Sequence, residues 1–209
     1  MANQYKVIDE KTWDRAMHCM VFRNSVEPSF CVTFESDITN FKRMVKEQQV
    51  SFTMAMVYAL CKCANKIEAF RYRFVDGQVV LFDRIDTAFT YLNKDTELFK
   101  VVNVPMIDNL KEYCSFALKT ANEQCEYFTG PLGNDVFQCS PMPWVTYTHI
   151  SHTNSGKKDN ATPLFDWGKY YEKDGRVLIP ISVQVHHSFV DGIHMGQFVE
   201  TLQKYFNEC

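Results

Sequence analysis

Two spacings of apolar residues run through the chain. Trp13, Met17 and Met20 recur every three or four residues and predict a helix over 10–22. Phe30 to Phe34 reads as a strand, and Asp37 or Thr39 supplies an N-cap for a helix reaching about residue 48. The best helix candidate covers 51–66. Ser51 caps it, Met54, Val57, Tyr58, Cys61 and Ala64 share a face, and the rest is apolar nearly all round, which predicts a central, buried element. Asp76-Gly77, between Phe70–Val75 and Gln78–Asp83, is a hairpin turn. Thr87–Leu92 reads as a strand and Asn109–Tyr127 as a helix stopped by Gly130-Pro131. Pro141-Met142-Pro143 leads into an expected strand, Trp144–Ile150. Residues 151–163, rich in Ser, Asn, Lys and Gly, read as an active-site loop. Then come an expected strand Leu164–Tyr171, a second hairpin turn at Asp174-Gly175, a long strand Val177–His187 interrupted by Pro180, and a closing helix Ile193–Phe206.

Strands and helices alternate irregularly, with two hairpins. This predicts an α/β fold with a mixed β-sheet covered by helices in a two-layer sandwich, built as a single domain over 1–209. The chain has neither the Gly-rich turn of a dinucleotide fold nor a P-loop lysine motif, and it has no internal repeat.

Composition narrows the function classes. The net charge of −3 and pI near 6.1 give no electrostatic case for nucleic acid or an anionic membrane. No apolar run approaches the ~20 residues that span a bilayer. Met1 to Glu10 is polar and lacks the apolar core of a secretory signal. The eight cysteines are therefore read as reduced thiols in a cytoplasmic protein. Cys61-Lys62-Cys63 lies in the helical stretch, where i and i+2 face different ways, and no matching pair follows at zinc spacing, so no metal is expected there.

The segment that carries chemistry is His186-His187-Ser188-Phe189-Val190-Asp191-Gly192. It ends a long strand and opens a helix, a place where a rigid scaffold presents a reactive side chain. On a strand the two histidines face opposite sides, so only one addresses a given pocket. A histidine near its ordinary pKa serves as a base at neutral pH. Read alone, the same residues also describe a polar strand end with a generic Asp-Gly turn. His194 with His186 and His187 suggests a metal cluster less well, since no nearby carboxylate or cysteine completes the set.

The stretch Val183-Gln184-Val185-His186-His187-Ser188-Phe189-Val190-Asp191-Gly192-Ile193-His194 resembles the active-site segment of chloramphenicol acetyltransferases, within the CoA-dependent acyltransferases that share His-His-x-x-x-Asp-Gly. Trp13-Asp14-Arg15, Asp37-Ile38-Thr39, Asp95 to Phe99, Pro143-Trp144-Val145 and Gly168-Lys169-Tyr170 extend the resemblance over almost the whole chain. The resemblance implies His187 as the base that takes a proton from an acceptor hydroxyl, and Ser140 as hydrogen-bond donor to the tetrahedral intermediate. It implies an Arg15–Asp191 ion pair that fixes the turn carrying His187, and Tyr170 as a contact to CoA. It further implies acetyl-CoA as co-substrate with no permanently bound cofactor, direct attack in a ternary complex without an acyl-enzyme, and a homotrimer with sites at subunit interfaces.

The acceptor pocket departs from the family pattern. Phe22 stands where a tyrosine is usual, Phe99 matches a pocket aromatic, and the run Ile150-Ser151-His152-Thr153-Asn154 makes an apolar wall polar. Asp166 and Trp167 replace a Thr-Met pair, and a carboxylate there repels a developing oxyanion unless it is protonated or turned away. The expected function is O-acetyl transfer from acetyl-CoA to chloramphenicol or a related small hydroxylated acceptor. The alternatives are a dihydrolipoyl acyltransferase-type core, which normally carries a lipoyl domain and linkers upstream, and a non-catalytic homologue that binds a small ligand.

Overall fold

The computed structural model describes residues 3–129, 133–152 and 159–209. The Gly130-Pro131 helix stop and the Thr153-Asn154 part of the expected pocket wall lie outside these residues. The elements in order are β1 (Tyr5–Val7), α1 (Ala16–Arg23), β2 (Ser29–Asp37), α2 (Thr39–Glu47), α3 (Phe52–Asn65), β3 (Tyr72–Val75), β4 (Gln78–Phe82), β5 (Asp86–Leu92), β6 (Phe99–Val104), α4 (Leu110–Glu123), β7 (Val136–Cys139), β8 (Leu164–Trp167), β9 (Tyr171–Lys173), β10 (Arg176–His186) and α5 (Gly192–Asn207). A seven-stranded sheet runs β2-β10-β8-β7-β5-β6, with β9 also paired to β10, and a three-stranded sheet runs β1-β4-β3. The large sheet is mixed, because β7 lies parallel to both β5 and β8 while its other pairs are antiparallel.

Local chemistry explains most boundaries. Ser51 accepts the Met54 N–H and opens α3, which is buried from Met54 through Cys61. Asp76 and Gly77 both have positive φ, as do Asp174 and Gly175, so the two hairpins close on turns whose twist matches their strands. Phe198 of α5 packs against Phe70, Phe165 and Phe34, which joins helix layer to sheet. Burying such a ring contributes roughly 1.5–3 kcal/mol.

Several expected elements differ. The first helix begins only at Ala16, because the Asp9 carboxylate captures the Lys11 N–H and the Thr12 hydroxyl, and this local bonding competes with a helical turn. The expected strand Trp144–Ile150 is irregular. Its backbone meets the chain beside the sheet where Lys169 donates to the Val145 carbonyl, while Trp144 and Val145 are exposed. Pro180 does not interrupt β10. Its carbonyl accepts from Gly168, so its missing N–H faces the gap where β8 has ended and β9 has not begun, and no ladder bond is lost. The expected strand over 164–171 is thereby two strands. The helix read as reaching Tyr127 stops at Glu123, where Gln124 turns its amide onto the Val101 and Glu126 carbonyls. Strands β1, β6 and β7 were not expected from the pattern.

Gly168 lets the loop 145–147 cross the sheet. A Cβ there would stand 2.7 Å from the Val145 carbonyl oxygen, 2.9 Å from Pro180 Cγ and 3.0 Å from Tyr147 Cε1. Gly168→Ala is therefore expected to lower the thermal unfolding midpoint, with a cost of roughly 1–3 kcal/mol for the forced shift. An unchanged midpoint would mean that the loop does not seat on Gly168.

Candidate functional site

The strand β10 is continued one residue further by His187, whose N–H reaches the Pro28 carbonyl at 2.8 Å. The chain then turns through Phe189 and Val190, both donating to the His186 carbonyl, before Asp191 opens α5. Arg15, just before α1, closes on this turn. Its guanidinium holds both oxygens of Asp191, at 2.5 and 2.7 Å, and also donates to the backbone carbonyls of Ser188 at 2.7 Å and His187 at 3.0 Å. Bonding from Arg15 holds the Asp191 carboxyl below the usual carboxylate range.

His187 is clamped between rings. Phe22 stacks on it at 3.9 Å with the planes 9° apart, and Phe30 approaches at 4.8 Å. Its buried Nδ1 lies 3.1 Å from Asp191 Oδ1, near enough to feel the charge but not aligned as a hydrogen bond. Burial of Nδ1 leaves Nε2 as the nitrogen available to a reacting group. His186 faces the core instead. Its Nδ1 accepts the Ser188 N–H at 3.1 Å, and Phe74 meets the ring edge-on. His194 accepts the Asp191 N–H on Nδ1 at 3.0 Å, and burial, with Arg15 nearby, pushes its pKa down. Among the described residues no group of His, Cys, Asp or Glu converges as metal ligands.

Ser140 belongs to a different place. It follows β7, gives its N–H to the Phe165 carbonyl at 2.9 Å, and lines a cleft of about 580 Å³ with Ser51, Thr53, Tyr91, Phe99 and Trp144. Tyr170 packs on Phe52, which lies between the cleft residues Ser51 and Thr53, at 5.5 Å, with the Lys42 ammonium 4.4 Å over its ring. His152 donates or shares a proton with buried Asp166 across 2.6 Å. Burial raises the Asp166 pKa and the bond to Asp166 raises that of His152. Ile150 sits in the irregular stretch leading to His152 and is partly buried.

One chain does not bring these clusters together. Ser140 is level with Asp166, which pairs with Ser182 on β10. Five residues of strand rise and two strand spacings therefore separate Ser140 from His187, roughly 19 Å. Phe22 and Phe99 are also parted, since Phe22 stacks beside β2 and Phe99 begins β6 at the other edge of the sheet.

The chloramphenicol acetyltransferase family model matches residues 3–203. The chain belongs to the chloramphenicol acetyltransferase family. It is 31% identical over 200 residues to chloramphenicol acetyltransferase 2 of Escherichia coli and 30% identical over 200 residues to that of Haemophilus influenzae, covering 94% of this chain and of each relative. A solved chloramphenicol acetyltransferase superimposes with TM-score 0.89 at 26% identity, over 97% of this chain and 100% of the other. The fold extends further. A dihydrolipoamide acetyltransferase of Azotobacter vinelandii superimposes at TM-score 0.65 and 16% identity, over 91% of this chain and 86% of the other. Chloramphenicol acetyltransferases are acyltransferases, and membership of their family makes this chain an acetyl-transfer enzyme. No helix of the described residues is long and apolar enough to cross a membrane.

Sequence reasoning missed what completes the grip of Arg15. The two backbone carbonyls it binds carry no side-chain signal, and Phe30 against His187 follows only from the strand register. It also read His152 and Asp166 as separate polar intrusions, although the two are bonded.

Arg15→Ala leaves Asp191 and two carbonyls without their donor. Because Asp191 is 32% exposed, the loss is expected near or below the lower end of the 3–5 kcal/mol typical of a broken buried pair, about 2–3 kcal/mol, read by denaturant unfolding. Arg15→Lys keeps the charge but not the fork, and should recover only part of that loss. The Asp191 carboxyl is lowered by folding, so its contribution is full at neutral pH and is lost as acid takes the pH down through that lowered value. Stability–pH curves of wild type and Arg15→Ala should therefore converge in acid.

Proposed function

We propose that this protein moves an acetyl group from acetyl-CoA to a hydroxyl of a small molecule, chloramphenicol or a related acceptor, with His187 as general base. The observation that carries the reading is the His187 ring, stacked on Phe22 and carried by a turn that Arg15 grips at four acceptor atoms. A ring held this way presents Nε2 in one direction, which is what proton transfer in a transition state requires.

Nε2 of His187 takes the proton of the acceptor hydroxyl as its oxygen attacks the thioester carbonyl carbon. The C=O electrons move onto oxygen, and the hydroxyl of Ser140 donates a hydrogen bond to that oxyanion. Collapse of the intermediate breaks the carbon–sulfur bond, and the proton returns from His187 to the CoA sulfur. No acyl group passes through the protein. Acetyl-CoA is a co-substrate, held in part by Tyr170, and Phe22, Phe99, Ile150 and His152 line the acceptor side. Because Ser140 and His187 are roughly 19 Å apart within one chain, the reaction needs His187 of one copy and Ser140 of another. A homotrimer with its sites between subunits meets that need, since a rotation that closes a ring gives every copy the same contact. The cytoplasm, where acetyl-CoA is made and used, is the setting in which such a reaction runs.

Incubation with acetyl-CoA and a panel of hydroxylated acceptors, chloramphenicol among them, should release free CoA thiol. His187→Ala should abolish release, and Ser140→Ala should lower kcat by roughly 10²–10³ as one oxyanion donor is lost. Equal release from wild type and His187→Ala would sink the reading. The division of the site gives a second test. Unfolding and refolding the two inactive variants together should restore part of the activity, because mixed assemblies contain sites with both residues intact. No recovery, with mixed assemblies present by mass, would place both residues in one chain's site.

A further inference from the structure

The sheet face turned away from the helices carries a row of polar side chains. Thr33 on β2, Ser182 on β10 and Asp166 on β8 are cross-strand partners. The β7–β8 ladder puts Ser140 level with Asp166, since Ser140 and Met142 donate to the Phe165 and Trp167 carbonyls at 2.9 and 2.8 Å. Asp166 is 1% exposed. The backbone of Asp166 thus runs one strand spacing, about 4.8 Å, from that of the proposed oxyanion donor. A bare negative charge there opposes the charge that must develop on the thioester oxygen.

His152 answers that charge. Its Nε2 is 2.6 Å from Asp166 Oδ2, the length of a charge-assisted bond. Nothing else among the described residues ion-pairs with Asp166. Its Oδ1 is buried without a hydrogen-bond partner, and the Ser182 hydroxyl is occupied by Thr33 Oγ1 at 2.6 Å. The other titratable groups near it are Cys31 of β2 and Tyr147 of the covering loop, and burial pushes both upward, away from ionisation at working pH. Among the described residues, the balance at this spot therefore depends on one imidazole.

We propose that His152 and Asp166 work as a matched pair, in which the His152 proton neutralises the carboxylate beside Ser140, so that acyl transfer tolerates both residues or neither but not Asp166 alone. This rests on the acyl-transfer reading. His152 acts here through Asp166 and not on the reacting atoms, which makes it a positioning residue.

The test compares wild type, His152→Leu, Asp166→Thr and the double variant as assembled protein. Acetyl-CoA is the donor, and chloramphenicol, or whichever panel member wild type turns over, is the probe acceptor. His152→Leu should lower kcat by roughly tenfold or more with a smaller change in KM for acetyl-CoA, and adding Asp166→Thr should bring kcat back to within about threefold of wild type. The sign with pH follows from the bond. Pairing with Asp166 raises the His152 pKa, so the neutralising proton is held to higher pH than on an unpaired imidazole and is lost as pH rises through the raised value. Wild type should then lose kcat on the alkaline side, and the double variant should lack that limb. In ¹⁵N-histidine NMR, which needs no turnover, His152 should keep its proton to higher pH in wild type than in Asp166→Thr. The proposal is overturned if His152→Leu matches wild-type kcat across pH, if the double variant is no faster than His152→Leu, or if His152 titrates alike in both proteins. A wild type that turns over no acceptor is failure of the acyl-transfer reading, and the NMR titration tells that apart from failure of the pairing.

Discussion

The guanidinium of Arg15 is the joint on which the proposed base depends. It binds both oxygens of Asp191 and the carbonyls of Ser188 and His187, so one side chain near the chain's beginning fixes a turn near its end. The geometry is demanding. Four acceptors at these positions match the planar donor fork of arginine and no other side chain. The cost of desolvating two charges is met by good geometry and by the accessibility that remains to both. Through the turn, the same contact sets where β10 stops, where α5 starts and which way the His187 ring lies on Phe22.

The sheet explains why a joint so well made does not by itself complete a site. Its inner face presents Phe165, packed on Phe70, and Phe137 beneath the helices, while its outer face presents Thr33, Ser182 and Asp166. The proposed base stands beyond the end of β10, whereas Ser140 stands beyond the end of β7, which runs the opposite way. Ser140 is level with Ser182, midway along β10, so five residues of strand rise and two strand spacings part it from His187. Only a second copy of the sheet restores their meeting, so catalysis and assembly become one requirement in the reading proposed above.

How much of this was legible depended on range. Elements set by neighbours in sequence were readable: Ser51 opening α3, Asp-Gly closing two hairpins, the long apolar run of β10. Elements set by distant partners were not. Four-residue β7 exists because two parallel neighbours hold it, and β6 follows a polar stretch that hides its alternation. The stretch from Trp144 to Ile150 has a strand's composition, but exposed Trp144 and Val145 show that its apolar residues serve another surface than a ladder. The site followed the same rule. The His-His segment was visible as a strand end, yet Arg15 came to it only through family resemblance, because no local pattern links residues so far apart.

Two carboxylates flank the proposed chemistry, and their contrast says what each can do. Asp191 is partly exposed and held by an arginine, a partner that keeps its charge at any working pH, so it is an anion throughout and suits a structural role. Asp166 is buried and held by a histidine, a partner that gives up its charge within the working range. Burial makes the bare anion costly, and among the described residues the imidazole alone relieves it. A fixed pair beside the proposed base and a titratable pair beside the proposed oxyanion donor thus differ by exposure and by partner. The titratable one lies among the positions where this chain parts from the family pattern.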